Sequence, residues 1–368
     1  MYPALAIYQA MKEADPALEV LYVGTRHGLE ARLVPAHQLP FRAIHAQGML
    51  GKGWKRQAAG MTSVLWGGCE ALALLRQFRP DLVIGTGGYV TGPVGMAALV
   101  LRIRLVIQEQ NVWPGLTNRL LSRFAALVMV PFEESRAHFA HPRRVKVIAN
   151  PVPPPIPQTR EEARRSLGLD PGVRLLMVTG GSQGAGGIND WMLDLLPRIV
   201  GEPGLGLLWA TGRRYYPAVA ERLAKTYGTL DRRRIRVEAY FDTIGQGYRA
   251  SDLFLGRAGA MTIADCLAYG LPMVLVPSPH VSEDHQTHNA RELEKHRAAI
   301  MMAERDLGPK ATERVLKLVT DAEALAAMAE NARRMSDPQA AAQMAGFIFE
   351  LGRRTRGGES HRLRTNRR

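Results

Sequence analysis

The chain has 368 residues, of which 46% are hydrophobic and 22% are charged. These proportions exclude a disordered or fibrous protein, and the length suits two globular domains of ordinary size. The formal net charge of +14 would suit nucleic acid, but no recognition module accompanies the basic residues, so we expect no nucleic-acid partner. Both cysteines, Cys69 and Cys266, lie in apolar stretches, which predicts buried reduced thiols in a cytosolic protein without a signal peptide.

Short β-branched or apolar runs alternate with longer amphipathic runs, and this alternation occurs twice along the chain. It predicts an α/β protein with two doubly wound, Rossmann-like domains, each a parallel sheet covered by helices. In the first half the predicted strands are Leu18–Gly24, Phe41–Ala46, Asp81–Gly85, Arg104–Glu109, Leu127–Pro131 and Val145–Ala149. In the second half they are Arg174–Thr179, Gly206–Thr211, Arg234–Tyr240, Asp252–Leu255 and Met273–Pro277, before a helical end over Lys310–Gly352.

A proline-rich segment, Asn150–Pro157, separates the two halves. Its prolines neither donate to a strand ladder nor continue a helix, so it predicts a stiff extended connector. We place the domains at residues 1–150 and 151–352, and leave open whether the final helices pack back on the first domain. Domains of this kind bind ligands at the carboxyl ends of their strands, so the sequence predicts an interdomain site.

Three segments bear on contact with membranes. Ala58–Leu75 is apolar, but Glu70 would cost roughly 2.5–3.5 kcal/mol inside lipid, so we predict that this stretch does not span a bilayer. Met49–Arg56 mixes apolar and basic residues, which suits either a peripheral membrane contact or an ordinary surface loop. The tail at residues 353–368 has seven arginines and one glutamate. It is predicted to be disordered, either solvated or in contact with anionic lipid headgroups.

Two glycine-rich turns, Gly85–Pro93 and Thr179–Gly187, follow predicted strands at comparable places in the two halves. Such turns expose backbone N–H groups and a helix N-terminus, which together bind a diphosphate. Each turn alone is also compatible with a mere sharp bend. Neither carries the Gly-Lys-Ser/Thr of a nucleotide hydrolase, and no clean Gly-x-Gly-x-x-Gly follows the first strand, so nucleotide hydrolysis and dinucleotide chemistry are both disfavoured.

Two later segments carry polar groups suited to a nucleoside and a sugar. Within Arg257–Pro272, Asp265 lies one to two turns into a predicted helix, where it suits the two hydroxyls of a ribose or an ordinary helix surface. Glu283–Ala290 supplies amides that both donate to and accept from sugar hydroxyls. Its histidines stand three apart without cysteine, so we expect no metal site.

These segments together resemble the MurG family of the GT-B glycosyltransferase superfamily, over nearly the whole chain. Members transfer N-acetylglucosamine, with inversion, from UDP-N-acetylglucosamine to undecaprenyl-diphospho-N-acetylmuramoyl-pentapeptide, which converts lipid I to lipid II for peptidoglycan. The resemblance implies a GT-B fold and these substrates, with no cofactor. It also implies a peripheral place on the cytoplasmic face of the anionic inner membrane, near other enzymes of cell-wall synthesis. The matching motifs are Gly87–Pro93, Glu109–Asn111, Gly115–Asn118, Asn150–Val152, Gly180–Ala185 and Ala258–Pro272.

The resemblance also implies roles for individual residues. Gly87 and Gly88 would bind the acceptor diphosphate, and Asn111 would reach the donor from the first domain. The remaining donor contacts would be Ser182 and Gln183 at the diphosphate, Phe241, Ala260, Met261 and Thr262 at the uracil or phosphate, Asp265 at the ribose, and Gln286 and Asn289 at the sugar.

The sequence departs from the family at its front. Family members open with a strand and a glycine-rich loop ending in histidine, whereas Met1-Tyr2-Pro3 already matches the helix that follows. Loss of that strand would leave its neighbours unpaired, so we expect the natural start, and the histidine base, to lie upstream. Glu109 is the fallback base, or else a structural carboxylate. Pro153 replaces a family arginine, and Asp265 a frequent glutamate.

Other functions remain open from the sequence. Another GT-B transferase that uses a UDP-hexose and a lipid, or a UDP-sugar epimerase, would share the predicted fold. A non-catalytic UDP-sugar-binding relic is a different class, and only the missing front favours it.

Overall fold

The computed structural model describes residues 1–46, 54–279 and 282–365. Within these residues the strands are β1 Tyr22–Gly24, β2 Phe41–Ala43, β3 Leu82–Gly85, β4 Arg104–Gln108, β5 Leu127–Val130, β6 Val145–Val147, β7 Arg174–Thr179, β8 Leu205–Ala210, β9 Ile235–Glu238, β10 Leu253–Gly256, β11 Met273–Leu275 and β12 Ala299–Met301. The helices are α1 Tyr2–Ala14, α2 Glu30–Ala36, α3 Trp54–Phe78, α4 Thr91–Val100, α5 Leu116–Ser122, α6 Arg160–Ser166, α7 Gly186–Gly201, α8 Tyr216–Tyr227, α9 Ile244–Ala250, α10 Ala260–Tyr269, α11 His285–Lys295, α12 Pro309–Thr320, α13 Ala322–Arg334 and α14 Ala340–Thr365.

The chain divides into two compact units. Unit 1 contains residues 1–151 and 339–368, and unit 2 contains residues 152–338. The division falls at the start of the proline-rich connector, one residue from the predicted position. The last helix, α14, belongs to unit 1, so the chain passes between the units twice.

Unit 1 contains two parallel sheets. Strand β1 pairs with β2, and a second sheet has the order β3-β4-β5-β6. In the described part of the chain, β1 and β3 each have a partner along one edge only. A cavity of about 1580 Å³ is lined by both of these strands.

The core of unit 1 joins the beginning of the chain to its last helix. Ile7 and Met11 of α1 are buried with Met344 and Ile348 of α14, against the face of β4 and β5. Apolar side chains at helical spacing on α14 make this possible, because residues four apart lie on one face. Arg104 of β4 also donates from Nη1 to the carbonyl oxygen of Leu351, at 2.6 Å.

Unit 2 has a six-stranded parallel sheet in the order β12-β11-β10-β7-β8-β9. All its strands except β12 were predicted, with ends that differ by up to two residues. Strand β12 was missed because Ala299–Met301 is short and contains alanine and methionine, which do not mark a strand. The sheet is buried on both faces, and Trp209 and Phe254 are among its fully buried side chains.

One prediction from composition was wrong. Cys69 is exposed rather than buried, whereas Cys266 is buried as predicted. The prediction that the tail at residues 353–368 is disordered stays a prediction.

The prediction that Ala58–Leu75 does not cross a bilayer agrees with the helix lengths and hydropathy. Across the three described ranges, none of the helices combines the length with the apolar character that a membrane span requires. The segment Met49–Arg56 lies mostly outside the described residues, and its role stays a prediction.

Candidate functional site

The chain reverses its direction of winding at the centre of the unit 2 sheet. From β7 it winds outward to β8 and β9, and from β10 it winds outward on the other side to β11 and β12. Gly256, the last residue of β10, pairs with Thr179, the last residue of β7. Ligands of doubly wound sheets bind outside the carboxyl ends of the strands at such a switch point. The second glycine turn and the start of α10 therefore meet where a ligand is expected.

The glycine turn after β7 presents its backbone outward. Gly181 and Gly184 have φ angles of 84° and 76°, a conformation that glycine adopts without a steric penalty. The N–H of Gly184 donates to the carbonyl of Gly181 at 3.0 Å, which closes the turn. Ser182 and Gln183 lie exposed at its tip. Helix α7 begins directly afterwards without a side-chain cap, so its first N–H groups are suited to an anion.

Close packing holds this turn against the end of β8. A Cβ atom on Gly184 would overlap the carbonyl oxygen of Thr211 and would lie 2.9 Å from Cδ2 of Tyr215. The side chain of Asn189 donates to the same Thr211 carbonyl at 2.9 Å and accepts from Nε1 of Trp209 at 3.1 Å. The turn, α7 and β8 are thus joined into one rigid corner.

Helix α10 supplies the second helix N-terminus at the switch point. Gly259 caps it in an extended conformation, and Ala260, Met261 and Thr262 of its first turn are only partly buried. Burial raises the pKa of the Asp265 carboxyl to about 7. This side chain therefore changes its charge close to neutral pH, and its expected contact with the ribose depends on pH.

The two amides predicted to bind sugar both hold nearby backbone. Oε1 of Gln286 accepts from the N–H of Ser278 at 2.8 Å. Asn289 is 1% exposed, and its Nδ2 donates to the carbonyl of Ala258 at 3.2 Å. They fix the loop after β11 and the turn before α10, and their direct contact with a sugar stays a prediction.

The sequence predicted a role for Phe241 but none for Arg257. Phe241 was predicted to face the nucleotide, but only 9% of it is exposed, and it follows β9 at the outer edge of the sheet. Arg257 was given no role. It donates to the carbonyls of Val276 and Pro277 at 3.2 and 3.1 Å and forms an ion pair with Glu304, so it ties β11 to the turn before α10.

The glycine turn of unit 1 follows β3. Gly87 and Gly88 have φ angles of 83° and 81°, and Oγ1 of Thr91 donates to the carbonyl of Gly87 at 2.7 Å. A Cβ atom on Gly88 would meet nothing within 4 Å. A Cβ atom on Gly87 would lie 3.7 Å from amide atoms of Asn118 and Gln110. The turn therefore has an open face beside two side-chain amides.

A buried carboxylate organises the neighbouring loop after β4. Glu109 is 2% exposed. Its Oε1 accepts from the N–H groups of Gln110 and Asn111 at 2.9 and 3.0 Å and from Nδ2 of Asn111 at 3.0 Å. Its Oε2 accepts from the N–H of Gly115 at 3.1 Å and from Nδ2 of Asn118 at 2.8 Å. With both oxygens occupied by N–H donors, the geometry favours the structural alternative for Glu109 over the general base.

Side-chain amides connect this loop to the rest of the edge. Nε2 of Gln110 donates to the carbonyl of Thr86 at 3.1 Å. Nδ2 of Asn150 donates to the carbonyl of Gln110 at 2.8 Å, and Nε2 of Gln108 donates to Oδ1 of Asn150 at 3.1 Å. The loops after β3, β4 and β6 are thus linked. Sequence reasoning gave Gln108 no role, although the amides that follow consecutive parallel strands were a usable signal.

Comparison with protein families gives two matches that share the chain between them. Residues 1–130 match the glycosyltransferase family 28 N-terminal domain, and residues 175–344 match the family 28 C-terminal domain.

Curated relatives align along nearly the whole length. A protein of Symbiobacterium thermophilum is 42% identical over 360 residues, which cover 97% of this chain and 94% of the relative. A protein of Moorella thermoacetica is 41% identical, and the match covers 92% of each chain. Both are named UDP-N-acetylglucosamine--N-acetylmuramyl-(pentapeptide) pyrophosphoryl-undecaprenol N-acetylglucosamine transferase. The chain belongs to the MurG family of glycosyltransferases.

Solved structures agree with a MurG-type GT-B fold of two Rossmann-like domains. MurG of Acinetobacter baumannii superimposes with a TM-score of 0.74 at 28% identity, over 95% of each chain. The UDP-GlcNAc 2-epimerase of Methanocaldococcus jannaschii has a TM-score of 0.62 at 11% identity, over 95% of this chain and 96% of that one. The second likeness concerns the fold alone.

Proposed function

We propose that the protein transfers N-acetylglucosamine from UDP-N-acetylglucosamine to undecaprenyl-diphospho-N-acetylmuramoyl-pentapeptide, converting lipid I to lipid II. An acceptor hydroxyl attacks the anomeric carbon, UDP leaves, and the configuration at that carbon inverts. Membership of the MurG family supports this reaction, since relatives about 40% identical are named as the transferase that catalyses it.

The observation that carries the proposal is the meeting of two helix N-termini at the switch point of unit 2. Negative charge grows on the diphosphate as UDP leaves. In this proposal the backbone N–H groups of Ser182 and Gln183, at the tip of the turn, and those at the starts of α7 and α10 bind this diphosphate. Donors fixed before the reaction stabilise developing charge with little reorganisation, and one such donor is worth roughly 2.7–4 kcal/mol.

The donor is bound chiefly by unit 2 in this proposal. Ser182 and Gln183, exposed at the tip of the turn, contact its diphosphate, and Asp265 accepts from the ribose hydroxyls. The remaining donor contacts that we propose are Phe241, Ala260, Met261, Thr262, Gln286, Asn289 and, from unit 1, Asn111.

The acceptor diphosphate binds the turn of unit 1. The open faces of Gly87 and Gly88 leave room for phosphate oxygens. The amides of Asn118 and Gln110 stand beside the turn as further polar groups. Glu109 holds both loops in place and does not itself take part in proton transfer.

We further propose that unit 1 sits on the cytoplasmic face of an anionic membrane. Helices α3, α4 and α5 pack side by side and carry large exposed apolar side chains. Arg102 and Arg123, both exposed, lie among them in the chain. An apolar patch with basic neighbours is the composition expected of a peripheral lipid contact. The patch consists of Leu65, Trp66, Met96, Val100, Leu116, Leu120 and Phe124.

The decisive experiment measures transfer of radiolabelled N-acetylglucosamine from UDP to a lipid I analogue. UDP-glucose and diacylglycerol replace the donor and acceptor in control reactions. We expect product only with the N-acetylglucosamine donor and the lipid I analogue. Transfer of glucose to diacylglycerol would indicate another lipid glycosyltransferase, and tight UDP binding without any transfer would indicate a non-catalytic binder.

Cosedimentation with vesicles tests the membrane proposal. The double variant Trp66→Ser and Phe124→Ser should bind vesicles containing anionic lipid roughly tenfold less well than the unaltered protein, because it buries less apolar surface. Leu29→Ser is the matched control, since Leu29 is 58% exposed but lies directly before α2, outside the patch. Equal binding by all three proteins would refute the assignment of this patch.

A further inference from the structure

A carboxylate from the segment after β12 lies against the first turn of α7. Glu304 begins a short 3-10 helix, Glu304–Asp306, and 26% of its side chain is exposed. A Cβ atom on Gly187, the second residue of α7, would lie 2.5 Å from Oε1 of Glu304 and 2.7 Å from its Cδ. The carboxylate therefore stands where a side chain of residue 187 would stand.

Arg257, which follows β10, holds this carboxylate in place. Its guanidinium forms an ion pair with Oε2 of Glu304, an oxygen that is buried from solvent. Through Nη1 it also donates to the carbonyls of Val276 and Pro277, and only 14% of the arginine side chain is exposed. Because the planar guanidinium is bound on several sides, the ion pair is fixed and Glu304 stays beside α7.

The position of Glu304 brings a negative charge to the proposed binding place of the donor diphosphate. Helix α7 begins without a side-chain cap, and the N–H groups of such a helix start attract anions. Arg257 contacts Oε2 of Glu304, whereas Oε1 is the oxygen nearest to Gly187. A diphosphate bound at this helix start is therefore repelled by a carboxylate that Arg257 neutralises only on its other side.

The donor and the nucleotide product differ in charge at this place. In UDP-N-acetylglucosamine both phosphates are esterified, so each of them carries a single negative charge. Transfer breaks the bond between the anomeric carbon and the terminal phosphate oxygen, and UDP leaves with an additional ionisable oxygen. Because the second pKa of a phosphate monoester is about 6, UDP carries one more negative charge than the donor at pH 8. Repulsion by Glu304 is consequently stronger for the product than for the donor.

We propose that Glu304 makes the donor site discriminate against UDP and thereby favours release of the product. This inference rests on the proposed function, and it concerns the step after transfer rather than the transfer itself. Glu304 is in this view a specificity residue, which acts through its charge at the start of α7 and needs no direct contact with the nucleotide.

Binding of both nucleotides to Glu304→Gln tests this role, because the amide keeps the shape of the side chain and removes its charge. In calorimetry at pH 8 and low salt, we expect the Kd for UDP to fall about tenfold and that for UDP-N-acetylglucosamine to fall about threefold. Circular dichroism and thermal unfolding establish that the variant is folded. Equal changes for the two nucleotides, no change, or weaker binding of both would overturn the proposal. Weaker binding of both would mean that Glu304 only fixes Arg257.

Glu313→Gln is the matched control, because Glu313 forms an ion pair with an arginine at the opposite end of the same helix. Its Oε1 lies 2.6 Å from Nη1 of Arg198, in the last turn of α7, and 63% of the Glu313 side chain is exposed. At roughly 1.5 Å per residue, Arg198 lies about 16 Å along the helix from Gly187. Both Kd values should therefore stay within about 1.5-fold of those of the unaltered protein. An effect as large as that of Glu304→Gln would show that net charge alone decides, and would overturn the proposal.

Salt separates the charge of Glu304 from its shape. Raising sodium chloride from about 50 to about 500 mM should at least halve the difference in UDP affinity between Glu304→Gln and the unaltered protein, because ions screen the repulsion. A difference that did not change with salt would indicate altered packing and would contradict the inference. A protein that binds neither nucleotide would refute the proposed function as well, whereas binding of both without the expected difference would refute this inference alone.

Discussion

Side chains connect the loops around the glycine turn of unit 1, whereas Gly184 in the turn of unit 2 packs directly against neighbouring backbone. Around Gly87 and Gly88, a buried carboxylate and several amides connect three loops, and the glycines themselves have free space on their open side. Around Gly184, the carbonyl of Thr211 leaves no room even for a methyl group. Similar turns at the ends of similar strands thus need glycine for different reasons. In unit 1 the space beside Gly88 is open, whereas in unit 2 the space beside Gly184 is filled by the protein.

The first test removes the negative charge of Glu109, whose hydrogen bonds hold the loop after β4 in unit 1. Glu109→Gln places an NH₂ group among N–H donors, so at least one buried donor loses its acceptor, at a cost of about 1–3 kcal/mol. We expect kcat/KM for the lipid I analogue to fall at least 100-fold, because Asn111, Asn118 and the glycine turn shift together. UDP affinity, measured by calorimetry, should change less than threefold.

Glu133→Gln is the control for this variant. Glu133 is 68% exposed and pairs with Arg136 on the surface, so its loss should leave the kinetics unaltered. If Glu109→Gln retained acceptor kinetics, the loops of unit 1 would not depend on the network described here.

The second experiment compares two glycines within unit 2. Both Gly181 and Gly184 have positive φ, so alanine at either position costs roughly 1–2 kcal/mol in backbone strain. Gly184→Ala adds overlap with Thr211, which costs typically a further 1–3 kcal/mol. We expect UDP affinity to fall about 30-fold for Gly184→Ala and about threefold for Gly181→Ala, with a matching order in denaturant midpoint. Equal effects would mean that strain, rather than packing, decides the role of Gly184.

The smallest expected effect concerns the pH dependence of donor binding. The pKa of Asp265, raised by burial to about 7, lies above its ordinary value. The folded protein therefore binds a proton more tightly than the unfolded chain, and stability conferred by this group declines as pH rises from about 4 to 7. The charged form is the better acceptor for ribose hydroxyls, so UDP affinity should increase about fivefold between pH 6 and pH 8.

Asp265→Asn should bind UDP with an affinity that changes less than twofold over this pH range. Calorimetry at three pH values suffices for the comparison. A wild-type affinity independent of pH would exclude Asp265 from contact with the ribose.

Hydropathy predicted the sheets well because buried parallel strands are marked by continuous apolar runs. Arg174–Thr179 was predicted with its observed ends, and it is one of the two central strands of the unit 2 sheet. In each of the other predicted strands at least one end shifted by one or more residues, since hydrogen bonding at the margins depends on neighbours that a single sequence does not reveal. Strand β12 was not predicted, because a short strand at the edge of a sheet needs few apolar residues.

The glycine turns of the candidate site were predicted from the sequence, but the long-range hydrogen bonds around them were not. The glycine turns were visible because glycine is required where φ is positive. The contact of Gln108 with Asn150 joins residues 42 positions apart. No local pattern encodes such pairs. They arise only when a helix or strand brings distant residues to the same edge.

The assignment of α14 to unit 1 has a consequence for synthesis on the ribosome. Met344 and Ile348 complete the core around Ile7 and Met11, so unit 1 lacks part of its interior until nearly the whole chain has been made. Unit 2 has all its residues earlier. Although N-terminal domains usually fold first during translation, here the second unit is free to fold while the first still exposes the apolar surfaces of α1 and β4, and chaperones have their longest opportunity to act there.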